Sequence, residues 1–147
     1  MHTEHLQNVR TGRVLMAWLI AASVTSLAAF AFIAAGRMTE DATTANTVWS
    51  SIAVLIGFFA GGFWVGFRAI QAPVLHAVGI GLTSLAAWFI LNVVANFFFP
   101  TWEWPSMTTE LAIGLLFGQL AASAVGALLG YNMALRGKPG LSEHEPI

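Results

Sequence analysis

Residues 57–68 read GFFAGGFWVGFR, an apolar segment that holds four glycines and ends at an arginine. At about 100° per residue in an α-helix, Gly57 and Gly61 share one face, whereas Gly62 and Gly66 share a second face. Lipid does not drive apolar helices together, so small residues four apart promote association by letting two backbones approach closely. The segment therefore predicts a helix that packs closely against two neighbours.

A second row of small residues, spaced four apart, lies near the end of the chain. Its members are Gly114, Gly118, Ala122, Gly126 and Gly130. The row moves round its helix by about 40° per step, so one straight partner cannot cover all of it. We expect these residues to pack against other membrane helices, either in a homo-oligomer or within a larger membrane complex.

Composition defines the class of protein. Of the 147 residues, 57% are hydrophobic and only 9% are charged, which indicates a membrane protein with the lipid bilayer as its main partner. Six basic residues against seven acidic ones provide no basic field for nucleic acid. The chain has no cysteine, which excludes disulfides, thiolate metal sites and cysteine nucleophiles.

Four apolar segments are long enough to cross a bilayer. They cover about 14–36, 46–67, 73–99 and 106–132. The first is too long for a signal-peptide core, so we predict an uncleaved span. The predicted fold is an all-α, polytopic, up-down-up-down bundle over 14–135, between polar segments 1–13 and 136–147. Pro73 suits a helix first turn, and Ser106 is a predicted N-cap.

The positive residues predict the orientation of the bundle. One side of the predicted topology holds Arg10, Arg13, Arg68, Arg136 and Lys138, and the other holds only Arg37. This five-to-one bias predicts that both termini are cytoplasmic.

Two sequence matches at nearly one offset suggest a duplicated helical hairpin. They are TSLAAF (25–30) with TSLAAW (83–88), offset 58, and IGFFAG (56–61) with IGLLFG (113–118), offset 57. Two tandem hairpin repeats would make Gly61 and Gly118 equivalent. The alternative is coincidence in a sequence rich in Ala, Gly, Leu and Phe.

A polar stripe is predicted along the third span and the facing part of the fourth. It comprises Trp88, Asn92, Asn96 and Gln119. Amides in hydrocarbon need partners, and the Trp88 indole could donate to Asn92. We favour interhelical hydrogen bonding over a solute path, because no charged residue lies in the middle of a span.

Arg68 and His76 flank the predicted cytoplasmic turn, where they could contact lipid headgroups; we favour snorkelling anchors. His2, Glu4 and His5 resemble part of a metal site, but the sequence offers no third ligand at a fixed position. We therefore favour adventitious metal binding over a true site. We therefore predict no catalytic residue, no cofactor-binding residue and no metal site.

Residues 61–68 (GGFWVGFR), followed by 75–77 (LHA) and Gly79, resemble a family of small four-span bacterial membrane proteins of unknown function. The resemblance implies a four-helix fold in the bacterial inner membrane and no particular activity. Small multidrug transporters are similar only in size, because the first span, 14–36, lacks their membrane-embedded glutamate. Bis-histidine haem proteins are also disfavoured, since His76 is the only histidine near a span.

The preferred functional hypothesis is a non-enzymatic scaffold, assembly or accessory subunit that packs against other membrane helices. The alternative is a small oligomeric channel or transporter that uses Asn92, Asn96 and Gln119. An enzyme ranks last, because no nucleophile, base and metal ligands occur close together in the sequence.

Overall fold

The computed structural model describes residues 9–39, 43–68, 72–98 and 109–136, and this part of the chain is all-α. Its helices are α1 (Thr11–Ala34), α2 (Thr43–Arg68), α3 (Pro73–Phe98) and α4 (Thr109–Arg136). Even the shortest, with 24 residues, extends about 36 Å, against about 30 Å of bilayer hydrocarbon. All four are long and apolar enough to cross a membrane. The predicted class, an all-α protein with four such helices, is confirmed.

The helix boundaries differ from the predicted spans by a few residues. Helix α1 begins at Thr11 rather than at residue 14, and α4 continues to Arg136 rather than ending at residue 132. Hydropathy marks the apolar core of a span, whereas backbone hydrogen bonding continues into the polar layers at either end. The predicted N-cap Ser106 and segments 1–8 and 137–147 lie outside the described residues.

A Schellman motif ends α1. Gly36 has a φ of 66°, which glycine adopts without steric cost. The Gly36 N–H donates to the Ile33 carbonyl and the Arg37 N–H donates to the Phe32 carbonyl, both at 2.9 Å. These two bonds satisfy carbonyls that the end of a helix leaves free. Residues 34–37 (AAGR) therefore form a helix terminator.

Contacts at the glycines define how the helices run. Along α2, Gly57 meets Thr25 of α1 and Gly61 meets Ala17, so the two helices are antiparallel. Gly62 of α2 meets Ser123 of α4 and Gly66 meets Ala127, so those two helices are parallel. Helices α3 and α4 are antiparallel, because the Ser123 hydroxyl donates a hydrogen bond to the Ala77 carbonyl while Gly81 meets Leu120.

The buried residues are concentrated toward one end of the bundle. This end, called here the arginine end, carries Arg10, Arg13, Arg68 and Arg136. All buried residues of α3 lie between Pro73 and Gly81. The following segment, Leu82–Phe98, contains no buried residue, and Phe97 reaches 79% exposure. The described helices therefore pack tightly at the arginine end and leave much of α3 uncovered beyond it.

Candidate functional site

Helix α2 meets α1 through Gly57 and Gly61. A Cβ on Gly57 would overlap the Thr25 hydroxyl and the Ala21 carbonyl, and a Cβ on Gly61 would overlap the Ala17 carbonyl. The Thr25 hydroxyl oxygen is buried and has no conventional hydrogen-bond partner in the described part of the chain. Its position beside Gly57 suits a weak Cα–H···O contact, which is common where helices touch. Glycine is required here because the two backbones touch.

The other glycine face of α2 meets α4. A Cβ on Gly62 would overlap the backbone of Ser123, and a Cβ on Gly66 would overlap the backbone of Ala127. Both glycines are buried. Helix α2 thus uses its two glycine faces on two different neighbours, as its sequence periodicity indicates.

Helix α4 contributes its own glycines to the same contact. A Cβ on Gly126 would overlap the Phe59 carbonyl, and a Cβ on Gly130 would overlap the Phe63 carbonyl. The Phe63 ring stacks on Phe67, also of α2, with ring centroids 6.3 Å apart. Glycines from both helices therefore form one seam, and such close contact gains dispersion energy from many atom pairs.

The remaining small residues of the α4 row have different surroundings. A Cβ on Gly118 would lie 3.0 Å from the end of the Leu55 side chain. A Cβ on Gly114 would have no neighbouring atom of the described residues within 4 Å. Ala122 is half-buried. The row therefore changes from backbone contact at the arginine end to open space near Gly114.

His76 is fully buried at the arginine end. Its Nε2 accepts a hydrogen bond from the Arg10 backbone N–H at 3.2 Å, and its Nδ1 lies 2.8 Å from the Ala72 carbonyl. This pairing requires a neutral ring with its proton on Nδ1, which donates to Ala72. Ala72 has a φ of 51°, just before Pro73 opens α3. The ring lies inside the bundle rather than at a lipid boundary, and it joins the start of α1 to the start of α3.

Arg68, by contrast, is exposed at the last residue of α2. Its guanidinium lies over the Trp64 ring, 5.7 Å from the ring centroid. A cation over an aromatic face one turn away is a favourable arrangement. The expected headgroup contact of Arg68 stays a prediction.

Ser123 is a structural residue that the sequence reasoning missed. It is fully buried, and its hydroxyl lies 3.2 Å from the Ala77 carbonyl of α3 and 3.1 Å from the Leu120 carbonyl of its own helix. One hydroxyl proton shared in this way ties α4 to α3 where Gly62 of α2 also contacts Ser123. Its spacing from Gly126, Ala127 and Gly130 places it on the packed face of α4, which was the signal available in the sequence.

The polar stripe does not form one hydrogen-bonded network within the described residues. The Asn92 side-chain N–H donates to the Trp88 carbonyl one turn earlier, at 2.8 Å, rather than accepting from the Trp88 indole. Asn96 is exposed and Gln119 is half-buried, and neither amide is hydrogen-bonded to another described residue. Two amides in membrane-spanning helices therefore lack partners in this part of the chain.

Trp88 and Gln119 are brought together by a groove of about 270 Å³ between α3 and α4. It is lined by Ser84, Leu85 and Trp88 of α3 and by Ala112, Ile113, Leu115, Leu116 and Gln119 of α4. The groove begins beyond Gly81, in the part of α3, Leu82–Phe98, that has no buried residue. Its walls are mostly apolar, with the Gln119 amide as a polar group on one side.

Comparison of the chain with protein-family models, with curated proteins and with solved structures gives no match. The resemblance to small four-span bacterial proteins therefore stays a prediction. Within residues 9–39, 43–68, 72–98 and 109–136, no group of three or more potential metal-ligating side chains is close enough to hold an ion. The candidate site is the groove together with the polar stripe beside it.

Proposed function

We propose that this chain is a non-enzymatic membrane subunit, a scaffold, assembly or accessory element that packs against other membrane helices. The observation that carries the proposal is that the amides of Asn96 and Gln119 have no hydrogen-bond partner among the described residues. Exposed apolar side chains are satisfied by lipid, but an amide within a span is stabilised by a hydrogen bond that lipid tails cannot provide. A further helix that brings polar groups would supply it.

Particle mass in native nanodiscs tests the proposal. The wild-type particle should exceed the 15.7 kDa of one chain, after correction for lipid and scaffold. Gln119→Leu should lower the mass while circular dichroism shows unchanged helix content. Thr47→Leu is the matched control, because the exposed Thr47 hydroxyl already donates to Thr43 of its own helix. A wild-type particle containing a single chain and no other protein would refute the proposal.

The alternative function is a small oligomeric channel or transporter. The observation in its favour is that Trp88 and Gln119 line one groove. Against it stand the apolar walls and the use of the Asn92 amide within its own helix. Solute flux into reconstituted vesicles distinguishes the two proposals. Loss of flux in Gln119→Leu, without loss of stability or of particle mass, would favour transport.

We also propose an up-down-up-down arrangement in the bacterial inner membrane with both termini in the cytoplasm. The arginine end supports it, because four basic residues from three helix ends, the start of α1 and the ends of α2 and α4, lie there, as the positive-inside rule expects. Reporter fusions after Gly36 and after Ile147 test the orientation. A fusion after Ile147 that reports from outside the membrane would overturn it.

Tandem hairpin repeats remain a proposal supported by the two sequence matches. The two hairpins are packed differently: Gly57 meets the backbone of α1, whereas Gly114, its counterpart at an offset of 57, faces open space in the described chain. A duplication would therefore have kept the sequence pattern while α4 moved relative to its hairpin partner.

A further inference from the structure

We propose that the helix at the α3–α4 groove belongs to a second copy of this chain. The proposal rests on the proposed function and names its partner: two copies associate about a two-fold axis parallel to the membrane normal, which passes beside α3. Each copy then places the α3 face that carries Leu85, Trp88, Asn92 and Asn96 against the same face of the other copy.

The geometry of α3 gives the contact face. Leu85 and Trp88 line the groove, and at about 100° per residue Asn92 and Asn96 fall with them in a sector of about 80°. The polar stripe therefore continues the groove along α3, toward the end that the described chain leaves uncovered. Trp88 is 57% exposed on this face, so a large aromatic surface is available beside the amides.

Hydrogen-bonding capacity favours a second copy over a lipid tail. An amide carries two N–H donors and an acceptor oxygen, so it can pair with an identical amide. Asn92 uses one N–H on the Trp88 carbonyl, which leaves one donor and the oxygen for a partner. A lipid tail would fill the apolar walls of the groove but would leave the free donor and the oxygen of Asn92 unsatisfied.

Symmetry explains why these residues would meet. A two-fold contact uses the same patch on both subunits. Because the positive-inside bias orients both copies the same way, the axis lies along the membrane normal and equal residues lie at equal depth. Asn92 of one copy therefore lies level with Asn92 of the other, and each stripe is complementary to itself.

The natural absence of cysteine allows a direct test by oxidative cross-linking in native membranes. Leu85→Cys places a thiol on the proposed face and keeps every amide, so it should give a disulfide-linked species at twice the 15.7 kDa of the chain. Ile90→Cys is the control on the opposite side of α3, where the wild-type side chain is 59% exposed, and should give none. Equal cross-linking at both positions would overturn the proposal.

Loss of the amide gives the second measurement. In the Leu85→Cys protein kept reduced, Asn92→Leu should raise the dimer dissociation constant about 3- to 20-fold for each hydrogen bond lost. Asn92 is not buried, so its fold should survive, and circular dichroism checks this. An unchanged dissociation constant would overturn the proposal.

The outcomes separate this proposal from the proposed function. A native particle that holds another protein and gives no Leu85→Cys cross-link would overturn the second copy and leave the packing function standing. A native particle that holds one chain and only lipid would overturn both.

Discussion

Replacing glycine by alanine at Gly62 and at Gly114 makes the same chemical change in two different environments. At Gly62 the new methyl group would overlap the backbone of Ser123, which cannot rotate away as a side chain can. Helix α4 would have to move away from α2. At Gly114 the described residues place no atom within 4 Å of the new methyl group, so nothing in this part of the bundle needs to move.

The expected change in the free energy of unfolding has opposite signs at the two sites. Overpacking costs about 1–3 kcal/mol. Dispersion agrees with this scale, since roughly 10–20 weakened atom pairs at about 0.1–0.2 kcal/mol each amount to about 1–4 kcal/mol. Alanine gains up to about 1 kcal/mol over glycine in helix propensity at either site. Because the propensity gain applies at both sites, Gly62→Ala should be less stable than Gly114→Ala by about 1–3 kcal/mol, with a net loss of about 0–2 kcal/mol at Gly62 and a gain of up to about 1 kcal/mol at Gly114.

Reversible unfolding in mixed micelles, with a denaturing detergent titrated into a mild one, measures both values. Circular dichroism follows helix content, and tryptophan fluorescence follows the surroundings of the six tryptophans together. Purified protein in dilute micelles keeps association from contributing to the result. Equal destabilisation at Gly62 and Gly114 would show that the α2–α4 seam does not depend on backbone contact and would refute the packing argument.

Three further predictions use the same assay. Gly61→Ala should destabilise more than Gly118→Ala, because the first meets a backbone carbonyl and the second only a side-chain end; equal losses would instead favour the equivalence that the repeat predicts. Ser123→Ala should cost about 0.6 kcal/mol and at most about 1.7 kcal/mol, as interhelical hydrogen bonds in membranes do, and a larger loss would mean that the side chain does more than join α3 to α4. His76→Leu leaves the Arg10 N–H without its acceptor and should cost about 1–3 kcal/mol, whereas His76→Gln, which can still accept, should cost less; the reverse order would exclude the hydrogen bond as the reason.

The sequence predicts the helices well because hydropathy and length depend on local composition. The four spans and the two glycine faces of α2 follow from residue type and a period of about 3.6 residues. The start of α3 at Pro73 likewise follows from the backbone preferences of proline.

The surroundings of individual residues were less accessible to sequence reasoning. His76 was expected at a headgroup boundary and is fully buried, because α1 runs beside α3 and supplies a backbone donor 66 positions away. Gly114 and Gly118 look equivalent to Gly57 and Gly61 in sequence, yet their contacts differ. Ser123 was assigned no role, although its spacing from Gly126 and Gly130 places it on the packed face of α4.

What the sequence by itself determined is therefore the set of helices: their number, approximate limits and closely packing faces, all of which arise from local periodicity. Tertiary structure alone decided which of those faces are filled. Helix α4 packs on α2 from Ser123 to Gly130, whereas α3 has no buried residue from Leu82 to Phe98 and borders a groove beside Gln119. The physical reason is that helices pack as rigid bodies. The axial register and the crossing angle of a helix pair therefore fix all of its contacts together.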